Sequence, residues 1–170
     1  MKSKKNLVIL GMMASGKSTI GLLVSKKLGL KFYDVDKIVE KEIGMPIAEI
    51  FEKKGEIFFR SIEEKIVLKS LQNKNSIVSL GGGAFLNDKV RKDILLNNVS
   101  FWLDCSNKTL LQRIRRNKKR PVANKLTNYE LEELINKRKK FYTKANFKIN
   151  CDKLTKKQIV ENILKSYETF

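Results

Sequence analysis

The 170-residue sequence contains no histidine, so a histidine nucleophile is excluded and any general base must be a carboxylate, if there is one. Cysteine is nearly as scarce. Cys105 and Cys151 stand far apart without metal-ligand spacing, which speaks against a zinc site and reads as two reduced, buried thiols of a cytosolic protein. No apolar run approaches the ~20 residues that a membrane-spanning helix needs. The basic Met1–Lys5 followed by the apolar Leu7–Ala14 imitates a short secretion signal. The lysine and hydroxyls that follow have a better explanation, so a cytoplasmic location without membrane association is expected. Acidic residues are the other shortage: 18 against 36 basic ones leave a net charge of +18.

That surplus raises a reading as a basic RNA-binding protein. Against it, 29 of the basic residues are lysines scattered along the chain among 14 asparagines, a compositional bias more than a designed stripe. The densest stretch, Arg113–Lys148, holds 13 basic and three acidic residues. It lacks the interleaved aromatics that stack bases, and within it Lys137, Lys139 and Lys140 are expected to face solvent.

What is there has the pattern of a folded α/β chain. A length of 170 residues suits one domain that buries roughly 70% of its unfolded surface. Short apolar, proline-free runs at Asn6–Leu10, Lys31–Tyr33, Ser76–Leu80, Val99–Leu103 and Phe147–Cys151 read as strands buried on both faces. Helical patterns separate them. Ile20, Leu23, Val24 and Leu28 share a face before the stop at Gly29, Asn87 opens a second helix, and Tyr129–Tyr142 and Thr155–Tyr167 supply two more. Alternation of this kind predicts a parallel five-stranded sheet with helices on both faces, three layers in a single domain over 1–170 without repeat or linker.

Chemistry enters after the first strand, where Ile9–Gly21 reads ILGMMASGKSTIG. Gly11-x-x-x-x-Gly16-Lys17-Ser18 between a strand and a helix is the setting of a phosphate-binding loop. Glycines let successive main-chain N–H groups converge on an anion, and the helix N-terminus adds partial positive charge. Lys17 can reach the β- and γ-phosphates while Ser18 holds Mg²⁺. A GTP-binding switch would carry Asn-Lys-x-Asp, and Asn117-Lys118-Lys119-Arg120 fails at its last position. A small-molecule kinase needs an acceptor pocket, a carboxylate near the metal and a cover that excludes water.

Three clusters fit those needs, each with a plainer reading beside it. In Asp34-Val35-Asp36 the carboxylates are two apart, so on an extended chain both face one cleft, one toward the metal and one toward a hydroxyl; equally, Asp36 could cap a helix. Arg60, among the apolar residues of Phe58-Phe59-Arg60-Ser61-Ile62-Glu63, is expensive without an anion, unless it lies at the surface. Gly81-Gly82-Gly83 ends the third strand, where open parallel sheets bind ligands and bare backbone allows close approach, or where a turn merely needs flexibility.

With GMMASGKST, DVD, FFRSIE, LGGGA, WLD, RNKKRP and RKKFY in this order over about residues 6–165, the chain resembles shikimate kinase. The resemblance implies a nucleoside-monophosphate-kinase-like fold, a substrate-binding region near 34–62, a lid near 113–124 and a monomer. It implies ATP-dependent phosphorylation of the 3-hydroxyl of shikimate in aromatic amino-acid biosynthesis, with one Mg²⁺. Carried over by position, Lys17, Asp36 and Arg120 are catalytic. ATP meets Gly11, Ala14, Ser15, Gly16, Lys17, Ser18, Thr19, Arg113 and Arg120. Shikimate meets Asp36, Arg60, Gly82 and Arg138, the metal meets Ser18 and Asp34, and adenine lies near Cys151–Thr155, with Lys153 as a contact. Two residues depart from the family: Ala14 replaces a glycine, at a cost of about 1 kcal/mol if its φ is positive, and Val122-Ala123 replaces leucines in the lid. A P-loop kinase of gluconate or of a nucleoside monophosphate shares the loop and the lid, but explains the arginines and the triple glycine less well.

Overall fold

The computed structural model describes residues 5–116, 123 and 125–170. Its centre is a five-stranded parallel sheet in the order β2-β3-β1-β4-β5. The strands are β1 (Leu7–Leu10), β2 (Lys31–Asp34), β3 (Ser76–Ser79), β4 (Val99–Asp104) and β5 (Phe147–Asn150). Each of the five predicted runs forms a strand, with ends shifted by one residue at most.

The position of a strand in the sheet explains its polarity. β1 lies between β3 and β4, in register Val8↔Val78 and Val8↔Ser100, and β1 and β3 are buried throughout. β2 and β5 form the edges and carry exposed Lys31, Lys148 and Asn150. Burial of both faces follows from the helices of the crossovers. α1 (Lys17–Leu28) packs beside the C-terminal helix, here α7 (Lys156–Glu168), while α3 (Ile47–Leu71) packs beside α4 (Asp88–Asn97). The remaining helices among the described residues are α2 (Val35–Ile43), a 3₁₀ turn at Ala84–Leu86, α5 (Asn107–Arg116) and α6 (Asn128–Tyr142).

Helix ends follow local chemistry. Gly29 closes α1 in the left-handed conformation, and the Asn87 side chain accepts from the Val90 N–H to start α4. Thr127 and Thr155 open α6 and α7 with reciprocal capping boxes through Glu130 and Gln158. α3 is broken at Gly55, whose φ of 81° and ψ of 168° separate a short arm over 47–54 from the longer segment that lies against the sheet. None of the helices is long and apolar enough to cross a membrane among the described residues.

Every loop that matters below leaves the carboxyl end of a strand: 11–16 after β1, Asp34 at the end of β2, 80–83 after β3 and Cys105 after β4. In an open parallel sheet this is the edge where ligands bind.

Candidate active site

The glycine loop turns from β1 into α1 through left-handed backbone. Gly11 has φ 144°, Ala14 φ 64° and Gly16 φ 97°. The Ser15 N–H donates to Met12 O at 3.2 Å, which closes the loop. Gly16 caps α1 without any side-chain hydrogen bond, so the amides of its first turn are not taken up by a capping side chain. Lys17 is buried and its Nζ lies 2.9 Å from Met12 O, folded over the loop that it would serve. Ser18 and Thr19 are exposed on the first turn of α1. Ala14 does sit at positive φ, where the departure from glycine is strained. Arg113, in the last turn of α5, reaches back to Ala14 O at 3.3 Å and so stands beside the loop. Arg120 lies outside the described residues, as does most of the expected 113–124 lid.

The Asp34–Asp36 pair needs a correction. The chain is extended only as far as Asp34 and turns helical at Val35, so the alternation of an extended chain does not orient the pair. The helix cap is Asp34, whose Oδ1 accepts from the Lys37 N–H at 3.4 Å, and Asp36 lies in the first turn of α2. The Oδ2 of Asp34 is buried without a hydrogen-bond partner. An orphaned carboxylate oxygen at the strand ends, with the exposed Ser18 hydroxyl as the other oxygen donor, is chemistry that suits Mg²⁺, an ion usually held by one or two protein oxygens plus phosphates.

Gly81–Gly83 are bare chiefly because charged side chains of the protein occupy the space that a Cβ would fill. At Gly81 a Cβ would overlap Glu63 Oε1 and lie 2.8 Å from Asp36 Oδ1. One at Gly82 would lie 3.1 Å from Arg138 Nη1 and 3.4 Å from the main-chain N of Met13, and one at Gly83 would lie 2.5 Å from Arg60 Nη1. The triple glycine therefore gathers Asp36, Arg60, Glu63 and Arg138 around one strand end and presses them toward the phosphate loop. A cleft of about 510 Å³ opens here, with Arg60, Glu63, Gly83 and Arg138 among its walls. A second cleft, of about 590 Å³, includes Asp152 and Lys153 near the expected adenine segment, but no residue of the glycine loop lines it.

The cluster sets two guanidiniums against two carboxylates in a largely buried setting. Arg60 is no plain surface arginine: it donates to Glu63 Oε2 at 2.7 Å and to Glu56 at 3.2 Å, and lies over the rings of Phe51 and Phe59. Burial works against its charge, yet the two glutamates hold its pKa above the ordinary arginine value. Arg138 is 9% exposed. Its Nε has no partner, Nη1 touches the Met12 sulfur at 3.7 Å, and burial pulls its pKa down. Among the described residues no carboxylate comes within ion-pairing distance of it. Glu63 closes the FFRSIE motif, yet the sequence pattern does not single it out as a site residue. It is 2% exposed, its Oε1 is unpaired, and burial raises its pKa against the opposing pull of Arg60, with Asp36 adding to the rise. Tyr142 closes the RKKFY motif four residues after Arg138, and the structure adds its contact: the hydroxyl donates to Gly82 O.

Three findings lie away from the site. Lys139 does not simply face solvent: it lies 3.5 Å from Asp104, which Lys148 also meets at 3.0 Å. Lys137 and Lys140 are exposed as expected. Cys105 and Cys151 are buried, free thiols that follow neighbouring strands. A hydrogen bond from Cys151 lowers the pKa of Cys105 and drives that of Cys151 up.

The shikimate kinase family model matches residues 13–168. The chain belongs to the shikimate kinase family. It is 40% identical to the shikimate kinase of Thermodesulfovibrio yellowstonii over 166 residues, covering 96% of this chain and 95% of that protein. Among solved structures it is similar to shikimate kinase from Acinetobacter baumannii in complex with shikimate, with TM-score 0.92 and 27% identity over 99% of this chain and 95% of the other. Deoxyadenosine kinase from M. mycoides, 21% identical with TM-score 0.70 over 97% of this chain and all of the other, shares the fold alone. For this member of the family, the parallel α/β sheet is a fold shared with other kinases of small molecules.

Proposed function

We propose that the chain transfers the γ-phosphoryl group of ATP to the 3-hydroxyl of shikimate, giving shikimate 3-phosphate and ADP, a step toward aromatic amino acids. Family membership supports the reaction. Within this chain the observation that carries the acceptor is Arg138: a buried guanidinium with an orphaned Nε and, among the described residues, no carboxylate within ion-pairing distance is costly unless an anion completes it. The carboxylate of shikimate, held between Arg138 and Arg60, does so and leaves the ring hydroxyls toward Asp36.

Each residue then has a defined task. Amides of the loop from Gly11 through Ala14, Ser15 and Gly16 to Thr19 hold the β- and γ-phosphates. Lys17 exchanges Met12 O for phosphate oxygen. Arg113, already against Ala14, lies on the nucleotide, and Arg120 closes from the lid onto the transferred group. Asp36 accepts the proton of the acceptor hydroxyl or orients it, while the hydroxyl oxygen bonds to the γ-phosphorus and the bond to the ADP oxygen breaks in line. No covalent enzyme intermediate is needed, since positioning and charge neutralisation suffice. Ser18 and Asp34 would hold Mg²⁺, which would supply neutralisation of the charge on the transferring phosphate. Residues 34–62 act as the acceptor-binding region and 113–124 as the lid of one domain. The protein works as a cytoplasmic monomer with ATP and shikimate as its partners, and with neither nucleic acid nor membrane.

A coupled ADP-release assay offering shikimate, gluconate and AMP in turn tests this reading. ADP release with shikimate alone is expected; release with gluconate or AMP in its place overturns it.

A further inference from the structure

Three consecutive glycines have more backbone freedom to lose than any other tripeptide, yet Gly81–Gly83 must hold still for the charged groups around them to keep their places. The main chain anchors part of the segment. Gly81 O accepts from the Ala84 N–H at 3.2 Å, Gly83 O accepts from the Leu86 N–H at 3.0 Å, and the Leu80 N–H donates to Ile9 O at 3.0 Å. The carbonyl between them, Gly82 O, is taken by a side chain from far along the chain, the hydroxyl of Tyr142. Tyr142 is 1% exposed and its ring packs against Trp102, centroids 6.0 Å apart. It ends α6 one turn after Arg138, so the same helix face carries the hydroxyl on the Gly82 carbonyl and the guanidinium beside the Gly82 α-carbon.

We propose that Tyr142 is a positioning residue for the acceptor: by holding Gly82 O it fixes the Gly82–Gly83 peptide plane, and with it the gap between the acceptor pocket and the phosphate loop. The inference rests on the function proposed above. Peptide planarity carries the argument, because an anchored Gly82 carbonyl aims the Gly83 N–H the opposite way. Gly82 also borders the phosphate loop, 3.4 Å from Met13 N at the Cβ position. Burial pushes the phenol up to about 12, so the donor keeps its proton at any working pH.

The test compares Tyr142→Phe with Trp102→Phe. The first removes the hydroxyl and keeps the ring; the second loosens the packing of the ring and keeps the hydroxyl. Tyr142→Phe should raise the KM for shikimate about three- to tenfold, the worth of one hydrogen bond, and leave the KM for ATP unchanged. Trp102→Phe should leave both unchanged. If Tyr142→Phe lowers only the melting temperature, or raises both KM values alike, Tyr142 is a core tyrosine and the inference fails. Wild-type turnover is measured first: its absence with shikimate overturns the function itself, whereas turnover with an unaffected Tyr142→Phe overturns only the positioning role.

Discussion

The two halves of the site lie at the carboxyl ends of two neighbouring strands, β1 and β3, and are built from opposite materials. The donor half is backbone: nine consecutive residues, 11–19, turned by two glycines and one strained alanine, with a single buried cation, Lys17. The acceptor half is side chains, Asp36, Arg60, Glu63 and Arg138, drawn from three helices and laid over glycines that contribute mainly their lack of a side chain. A phosphate is recognised by any ring of amides, so a short contiguous motif suffices for it. A particular hydroxy acid needs charges at particular distances, and those come from separate parts of the chain.

This contrast can be broken or sharpened in four ways. Lys17→Ala removes the one charged side chain within residues 11–19 and should lower kcat by about 10³–10⁵, the range one cation on the transferred phosphoryl supplies. An ADP-release assay on a variant with unchanged circular dichroism checks it. Asp36→Asn acts on the other half. The rate should fall by about 10²–10⁴ while the KM for ATP stays put, and a lost ATP affinity with an intact rate would move Asp36 to the donor side.

A third probe is pH. The fold holds the pKa of Glu63 above its ordinary value, burial being the largest cause, with Arg60 and Arg138 opposing and Asp36 adding to the rise. The folded state therefore binds this proton more tightly than the unfolded chain. The stability contributed by Glu63 is full below the ordinary glutamate pKa and is lost as pH rises through the raised value. Melting temperature measured against pH should show that decline in the wild type and a flatter curve in Glu63→Gln; equal slopes would mean that Glu63 is not held in a desolvating pocket. The smallest effect is expected at Ala14. Relief of a left-handed alanine, about 1–2 kcal/mol, outweighs the extra freedom glycine gives the unfolded chain, about 0.4–1 kcal/mol. Ala14→Gly should therefore gain about 0.5–1 kcal/mol, read as a rise of a few degrees in melting temperature.

The same contrast governs which parts of the molecule are legible in its sequence. The strands are legible because β1, β3 and β4 are apolar runs buried on both faces, and the phosphate loop because its geometry is encoded in adjacent residues. The Asp34–Asp36 geometry is not, because the strand ends one residue earlier than an extended pair requires, and Val35 gives no sign of it. Gly81–Gly83 stand out as a cluster but not as the seat of four charges, since Asp36, Arg60, Glu63 and Arg138 meet them only through the crossover helices. Lys139 reads as one more member of a charge run, and only the packing of α6 against the end of β4 brings it to Asp104. Two capping boxes, Thr127-x-x-Glu130 and Thr155-x-x-Gln158, are in plain view in the sequence and suffice to place both helix starts.

The most direct measurement is a crystal structure of the complex with Mg–ADP and shikimate. The account predicts the β-phosphate against the amides of residues 14–19 with Lys17 Nζ turned onto it, and the shikimate carboxylate between Arg60 and Arg138. A nucleotide bound elsewhere, or a shikimate carboxylate that leaves Arg138 without an anion, would contradict it.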